Sequence, residues 1–280
     1  MKNILKQIII FTTFLILFTY CIKYNNYITN EILRSCNMWL TKVVPSLFPS
    51  FILVDLLCSS SLPYYLNKHL KINVIYFLSI LSGSPTNAYL INNYDIEKTK
   101  LLAVTKYTSL IFTFNFLKII FNTKTAILLI ISNILANLIL TIIIKPPKIS
   151  YPLIPQTNIG NIILTSLTKN INTLLTILST IIFFNILPIN MIENIYIKSF
   201  LLSIFEVTNS FINLSTNNLP FYSKIIFTLL TLSSGGLCIE MQIKSILKDT
   251  SINYLKYFKY RLIHFIFISL LYIHGQLLFF

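Results

Sequence analysis

The sequence predicts an all-α protein that crosses a membrane several times, and three observations support this fold class. Hydrophobic residues make up 55% of the chain and charged residues only 11%, whereas a soluble domain carries about 25% charged residues. The mean hydropathy is +0.75. Several apolar runs approach or reach the roughly 20 residues of helix that the hydrocarbon core of a bilayer requires. Too few charges remain to cover a water-soluble globule, so we expect lipid to cover much of the surface.

The first apolar run, residues 8–22, follows two lysines in the manner of a signal peptide. The bulky sequence at 18–22 offers no small-x-small cleavage site, so we predict an uncleaved first helix. Lys2 and Lys6 favour a cytoplasmic N-terminus.

Four later apolar runs are predicted to be ordinary membrane spans. The runs 101–121 and 126–144 reach the required length by themselves. The run 174–187, which ends at Pro188, and the run 262–280 reach it once flanking residues are included.

Two regions between these spans have a broken hydrophobic pattern. Residues 31–94 and 193–249 contain short apolar pieces interrupted by Pro, Gly, Ser and Asn, and no single piece is long enough to cross a bilayer. In each region the last break is rich in serine and glycine, and ordinary spans lie between the regions. We therefore interpret the chain as two diverged copies of one unit.

These copies define the domain organisation that we predict. The chain is one membrane domain, 1–280, with a first repeat at about 31–144 and a second at about 159–280. The Pro-rich segment 145–158 is the linker between them.

Helix breaks at membrane depth suggest a binding site. Backbone groups that lose their partners there must be buried in protein or line a wet cavity. Paired discontinuous helices in two halves of a chain are a sequence signature of a transporter binding site, and the free N–H groups of a helix N-terminus suit an anion. Interfacial or re-entrant segments without a transport role, and kinked helices that only pack, are the structural alternatives.

Glu206 is the acidic residue that most suggests function. It follows an apolar run, and Asn209 and Asn213 lie three and seven residues later, on one face of a continuous helix. A carboxylate with two amides in an apolar segment indicates a functional site. It would bind solute through water, take up a coupling proton or hold a cation. Pairing with a lysine of another helix is the structural alternative.

Two other acids lie in apolar context. Asp55 interrupts the run 51–57, and its sequence favours neither a functional nor a structural role. Glu240 has Lys244 four residues later, in the favourable order for a helical ion pair, so we predict a structural role.

The remaining composition argues against other classes of protein. The net charge of +14 comes from lysines scattered singly in loops, which favours anionic headgroups over nucleic acid as partners. The metalloprotease H-E-x-x-H, G-x-S-x-G and P-loop motifs are absent from the sequence. The four cysteines have no metal-ligand spacing and are expected to be buried free thiols. We therefore predict no enzyme, no metal and no cofactor, with the bilayer and a small solute as partners and self-association left open.

The first broken region carries motifs that resemble a known family. Trp39, the sequence V-P-S-L-F-P-S-F-I at 44–52 and the leucine pair at 56–57 resemble the W…V-P-S-L-F-P-F-F-I…L-L run of the YlbJ-type sporulation integral membrane proteins. The sequence S-G-S-P-T-N-A at 82–88 resembles the S-G-Y-P-x-G-A of that family.

The second broken region extends the resemblance. The sequence E-V-T at 206–208 resembles the family's E-x-T-x-G, and G-G-L at 235–237 followed by Gln242 resembles its G-G-L…Q. Order and spacing agree from about Trp39 to the last residue. Three positions depart from the family motifs: Ser84 stands for Tyr, Asn87 for Gly and Asn209 for Gly.

The resemblance implies both a fold and a function. The family is related to nucleoside-recognition gate domains, which look like concentrative nucleoside transporters, so it implies two inverted repeats with broken helices or re-entrant hairpins. It implies a multi-pass protein of the outer forespore membrane that moves dipicolinic acid during sporulation. The alternatives are a nucleoside-like solute carrier and a structural or assembly membrane protein of the spore envelope without a substrate.

The breaks and the resemblance together give the candidate site. The predicted solute-binding residues are Ser82, Gly83, Ser84, Pro85, Asn87, Glu206, Thr208, Asn209, Ser234, Gly235, Gly236 and Gln242. A transporter requires the breaks to line one shared cavity, whereas a scaffold would pack Glu206, Ser82 and Gly235 into dry contacts or leave them at the interface.

Overall fold

The computed structural model describes residues 2–71, 73–92, 97–151, 159–247 and 252–279, and these residues contain helices but no β-strand. The α-helices are α1 (Lys2–Lys23), α2 (Asn25–Met38), α3 (Val44–Cys58), α4 (Leu62–Leu70), α5 (Val74–Ser82), α6 (Thr86–Asn92), α7 (Lys98–Val104), α8 (Leu110–Ile120), α9 (Thr123–Ile144), α10 (Ile159–Asn185), α11 (Ile195–Phe205), α12 (Val207–Thr216), α13 (Phe221–Ser234), α14 (Leu237–Ile246) and α15 (Tyr254–Phe279). A π-helical turn, Trp39–Val43, joins α2 to α3, and a 3-10 turn, Pro188–Met191, follows α10.

Five helical segments in the described part of the chain are long and apolar enough to cross a membrane: Ile4–Lys23, Thr123–Ile144, Ile159–Met191, Phe221–Ile246 and Tyr254–Leu278. Together α2 and α3, which meet at a bend of 48°, would form a sixth. These segments confirm the predicted all-α, multi-pass membrane fold.

The predicted span 101–121 is wrong, because this run is two helices. It divides into α7 and α8, and residues 105–109 between them are not helical. The break contains no glycine or proline, so the local sequence does not predict it. Tertiary contacts replace the lost helical hydrogen bonds: the Tyr107 carbonyl accepts from the Ser84 N–H at 2.7 Å, and the Lys106 carbonyl accepts from the Asn137 side chain at 3.1 Å.

The order of elements recurs along the chain. Two broken helices, α5/α6 and α7/α8, precede the long helix α9, and two more, α11/α12 and α13/α14, precede the long helix α15. The long helices α9 and α15 pack against each other. The two-repeat division and its inverted symmetry stay predictions. Residues 152–158 of the predicted linker lie outside the described residues. So do residues 72 and 93–94 of the first broken region and residues 248–249 of the second.

The segment that carries the P-S-L-F-P motif positions α10. Leu47 and Phe51 of α3 pack in one buried cluster with Ile177 and Ile181 of α10. The Trp39 indole N–H donates to the Leu174 carbonyl at 3.0 Å. A buried aromatic N–H with an acceptor combines apolar contact with a directed bond, so this contact fixes α10 against α3.

Candidate functional site

The helix breaks converge on one cavity. It has a volume of about 80 Å³, several times the 10–15 Å³ or so that one water needs. The break between α5 and α6, the break between α7 and α8, Glu206 between α11 and α12, and the first turn of α14 all contribute to its wall. The lining residues of this central cavity are Lys42, Val43, Leu47, Ser84, Pro85, Thr108, Ser109, Phe112, Ile177, Ile181, Glu206, Val207, Thr208, Cys238, Ile239 and Gln242.

The first two breaks cross at very short range. Gly83 has φ +73°, a left-handed conformation that favours glycine. A Cβ at this position would lie 2.3 Å from the Ser109 backbone nitrogen and 2.7 Å from the Thr108 carbonyl carbon. Only a residue without a side chain permits this approach, so Gly83 holds Ser84 and Ser109 in one cavity wall.

Several buried oxygens beside the first break have no hydrogen-bond partner in the described part of the chain. They are the Ser84 Oγ, the Thr86 Oγ1 and the Asn87 Oδ1. The Asn87 side-chain N–H donates to the Thr105 hydroxyl at 3.4 Å. An unsatisfied buried polar atom costs about 1–3 kcal/mol, so a ligand or an ordered water that donates to these oxygens would be stabilised.

Glu206 caps a helix instead of lying on one. Its backbone is extended, with φ −149° and ψ 118°, and its carboxylate accepts from the backbone N–H groups of Thr208 at 3.0 Å and Asn209 at 2.6 Å. The predicted shared face with Asn209 and Asn213 is wrong, because that prediction assumed a continuous helix. The Asn209 side chain donates to Asn185 at 2.6 Å, and the Asn213 side chain donates to Ser199 at 2.7 Å.

Two other helix N-termini at the cavity have no side-chain cap. The N-cap residues are Ser109 before α8 and Gly236 before α14, and neither forms a side-chain cap. The Gly236 N–H itself donates to the Ser234 hydroxyl at 3.3 Å. Ser109, Cys238 and Ile239 line the cavity. Uncapped N–H groups and the helix dipole favour negative charge, so an anion would be stabilised there, whereas the protein's own carboxylate occupies the N-terminus of α12.

The predicted ion pair of Glu240 with Lys244 is wrong. Glu240 instead pairs with Lys106, which also donates to the Ser234 carbonyl at 2.6 Å. The Tyr257 hydroxyl donates to the same Glu240 oxygen at 2.7 Å. Lys244 is exposed while Glu240 faces the interior, and a helical pair is worth only about 0.2–0.5 kcal/mol. Leaving a buried ammonium without a counter-charge destabilises the folded protein by far more than this.

A second buried network adjoins this pair. Arg261 of α15 donates to the carbonyls of Ser233 at 2.9 Å and Ala103 at 3.0 Å, and to the Asn137 side chain at 3.0 Å. His264 lies 3.1 Å from the Ser233 hydroxyl. Sequence reasoning missed Lys106 and Arg261, which are buried but do not line the central cavity. Lys106 lies within the apolar run 101–121 and Arg261 directly before the run 262–280, and an ionisable residue at such a position is a signal of function.

Asp55 is the centre of a third polar cluster. Its Oδ2 accepts from the hydroxyls of Tyr89 at 2.8 Å and Ser166 at 2.5 Å, and from the Asn170 side chain at 3.3 Å. The Lys169 ammonium lies 3.8 Å from Oδ1. This arrangement ties α3, α6 and α10 together and supports the structural role.

We expect Asp55→Ala to lower the free energy of unfolding by about 1–3 kcal/mol, because three buried donors lose their acceptor. Unfolding in detergent micelles would measure the change. The control is Glu97→Ala, which removes an acid that is 47% exposed and paired with Lys100 and Lys256. Exposed ion pairs contribute about 0–1 kcal/mol, and an equal loss in both variants would contradict the structural role of Asp55.

The predicted site residues fall into two groups. Those that line the central cavity are Ser84, Pro85, Glu206, Thr208 and Gln242; those that lie behind its wall are Ser82, Gly83, Asn87, Asn209, Ser234, Gly235 and Gly236. In the second group the Ser82 hydroxyl donates to the Leu78 carbonyl at 2.7 Å, and the Ser234 hydroxyl donates to the Ser203 carbonyl at 2.9 Å. Gly235 packs against the Lys106 side chain, and Gly236 against Phe205 and Val207.

The cysteines differ in exposure. Cys238 is buried and lines the cavity, Cys36 and Cys58 are half-buried, and Cys21 is exposed. The expectation that all four are buried is therefore wrong. Cys21 lies on α1, whose 20-residue candidate span has none of its window buried inside the protein, so this helix lies on the outside of the protein.

Comparisons of the chain with protein-family models, curated proteins and solved structures find no significant match. The family resemblance therefore stays a prediction that rests on the motifs.

Proposed function

We propose that this protein is a membrane transporter that carries a small anionic solute through the central cavity. The observation that carries the proposal is the convergence of helix breaks on this one cavity inside a multi-pass helical protein. Broken helices that meet at a shared cavity are the architecture in which secondary transporters bind their substrates. We include in the proposal an inverted-repeat organisation and a location in the outer forespore membrane, which the family resemblance implies.

The polar groups of the cavity favour an anion. The uncapped N-termini of α8 and α14 present backbone N–H groups, and the Ser84 and Thr108 hydroxyls lie in the same wall. Lys42 adds a cation. Glu206 is the one carboxylate among the described lining residues, and its two oxygens already accept from backbone N–H groups. Both oxygens are therefore already used to cap the N-terminus of α12.

Dipicolinate is the first solute to test, since the resemblance implies it. It is a flat aromatic dianion whose two carboxylates would each meet one uncapped helix N-terminus. The volume of about 80 Å³ is small for such a solute, so the helices around the cavity must separate to admit it. That requirement agrees with alternating access, in which one bundle of helices moves against another around a fixed site.

A nucleoside-like solute is the second candidate. Phe112 and Gln242 face the cavity together, and an aromatic ring with an amide suits stacking on a base and hydrogen bonding to its edge. A scaffold without a substrate is less favoured, because it would not need unpaired hydroxyls beside an internal cavity.

We expect purified protein in proteoliposomes to take up labelled dipicolinate, and Ser84→Leu to abolish that uptake. The leucine side chain would fill the cavity wall where the buried Ser84 hydroxyl has no partner. The matched control is Ser82→Leu, two residues earlier, where the hydroxyl donates only to its own helix and does not line the cavity. This control should retain uptake.

The outcomes separate the candidates. Nucleoside uptake that Ser84→Leu blocks, without dipicolinate uptake, would favour the second candidate. If folded wild-type protein takes up neither solute class, or if Ser84→Leu and Ser82→Leu transport equally well, the proposed site is wrong.

A further inference from the structure

Helix α10 lines two cavities and contacts, through Asn185, a residue that lines a third. Besides the central cavity, a pocket of about 290 Å³, which we call the Lys169 pocket, is lined by Tyr89, Asn92, Lys169, Thr173, Thr176 and Ser245, among others. A further pocket of about 290 Å³, which we call the Arg34 pocket, is lined by Arg34, Asn190, Lys198, Asn209, Asn213 and Thr216, among others. The Lys169 pocket shares Ile177 and Gln242 with the central cavity, whereas the Arg34 pocket shares none of its described lining residues with it.

The three cavities follow one another along α10. Lys169 and Thr173 line the Lys169 pocket, and Ile177 lines both that pocket and the central cavity. Ile181 lines the central cavity one turn later. Asn185 at the end of the helix accepts from Asn209, which lines the Arg34 pocket. These α10 residues are four apart, so each lies about one turn further along the helix than the one before.

The order places the two pockets on opposite sides of the central cavity. With a rise of 1.5 Å per residue, Lys169 lies about 12 Å from Ile177, and Ile177 lies about 12 Å from Asn185. The helix α10 belongs to the segment Ile159–Met191, which is long and apolar enough to cross the membrane. We therefore take distance along α10 as the measure of depth in the membrane.

We propose that the Lys169 pocket and the Arg34 pocket are the two openings of a single solute route that passes through the central cavity, one toward each face of the membrane. This inference rests on the proposed function and adds to it the residues by which solute enters and leaves.

A hydrogen bond anchored on α10 closes the route on each side of the central cavity. Gln242, which lines both the Lys169 pocket and the cavity, donates to the Thr180 hydroxyl at 3.0 Å. On the other side, the Asn209 side chain donates to Asn185 at 2.6 Å while its backbone N–H donates to Glu206. Each bond joins α10 to a helix that follows a break. Movement of α14 would therefore break the first bond and open only the side of the Lys169 pocket. Movement of α12 would break the second bond and open only the side of the Arg34 pocket.

The charges at the openings suit an anion. The described lining of both pockets contains cations and no carboxylate. Lys198 donates to the Asn190 carbonyl at 2.9 Å. Lys169 and Arg34 each have an acid beside the pocket, Asp55 at 3.8 Å and Glu31 at 3.4 Å, which partly offsets their charge. Openings lined by one sign of charge concentrate the oppositely charged solute.

Cysteine labelling from each face of the membrane tests the route. In full-length protein with Cys21, Cys36, Cys58 and Cys238 replaced by serine, Thr173→Cys reports on the Lys169 pocket and Thr216→Cys on the Arg34 pocket. The matched control is Leu175→Cys on the outward face of α10, where the leucine is 49% exposed. A membrane-impermeant maleimide is applied to right-side-out and to inverted vesicles.

We expect Thr173→Cys to react from one face only, Thr216→Cys to react from the opposite face only, and Leu175→Cys to react from neither. Labelling of both pocket cysteines from the same face, or of neither in folded protein, would overturn the route. Uptake of dipicolinate or nucleoside with same-face labelling leaves the transport function standing and removes this route. Opposite-face labelling without uptake of either solute supports the route and removes the proposed function.

Discussion

Glu240→Ala is expected to lower the free energy of unfolding by about 3–5 kcal/mol, because it leaves a buried ammonium without its carboxylate. The Lys106 side chain is 2% exposed and that of Glu240 is 7% exposed. Tyr257 also loses the oxygen to which its hydroxyl donates. Equilibrium unfolding in mixed micelles with increasing denaturing detergent would measure the change.

Two further variants make this prediction specific. Glu193→Ala removes an exposed acid of the segment between Met191 and α11, and such a surface change should stay within about 0.5 kcal/mol. The double variant Lys106→Met with Glu240→Leu replaces the pair with apolar side chains of similar size, and it should recover much of the lost stability. A double variant as unstable as Glu240→Ala would show that the loss comes from packing and not from an unpaired charge.

Gly83→Ala is expected to lower the free energy of unfolding by at least about 3 kcal/mol. The Gly83 backbone, with φ 73° and ψ −167°, lies in a region essentially restricted to glycine, which costs another residue about 1–3 kcal/mol, and overpacking typically adds about 1–3 kcal/mol. Here the new Cβ would meet backbone atoms of the crossing break, with the Ser109 Cα at 2.8 Å as well as its nitrogen at 2.3 Å. Since backbone cannot rotate away as a side chain can, the two breaks must separate, and uptake should be lost with stability.

The matched control for this substitution is Gly275→Ala in α15. The added Cβ would lie 2.5 Å from Leu128 Cδ1, the end of a flexible side chain. Replacing glycine by alanine inside a helix gains about 1 kcal/mol, which offsets the displacement of Leu128. We expect a net change within about 1 kcal/mol. Similar losses in both variants would mean that the crossing at Gly83 is not the critical contact.

The composition was sufficient to predict the multi-pass helical fold, and two of the four breaks could be located from the sequence. Gly83 with Pro85, and Gly235 with Gly236, interrupt apolar helices with residues that favour non-helical backbone. Glu206 follows an apolar run, but its spacing to Asn209 and Asn213 favoured a continuous helix, so this break was not located. The break at residues 105–109 has no such local signal, because it is stabilised by contacts with Ser84 and Asn137 from elsewhere in the chain.

The partners of the charged residues could not be predicted from one sequence. Glu240 has Lys244 one turn away, and the helical rule selects that neighbour, whereas the actual partner Lys106 is 134 residues distant. For Glu206, helical periodicity placed Asn209 and Asn213 beside it, but a helix that begins immediately after the carboxylate turns those amides toward Asn185 and Ser199. Local rules fail where the backbone itself is interrupted.

The distance in sequence between Lys106 and Glu240 bears on how the protein is made. A ribosome synthesises the lysine 134 residues before the glutamate, so the nascent first half contains a cation for which the folded protein supplies its counter-charge only from the second half. A lone lysine at membrane depth is unfavourable by about 2.5–3.5 kcal/mol during insertion. We therefore expect the segment around Lys106 to reach its final position only after α14 has been synthesised and has packed beside it. On this expectation, the part of the chain that contains Lys106 depends on the part that contains Glu240 to complete its insertion.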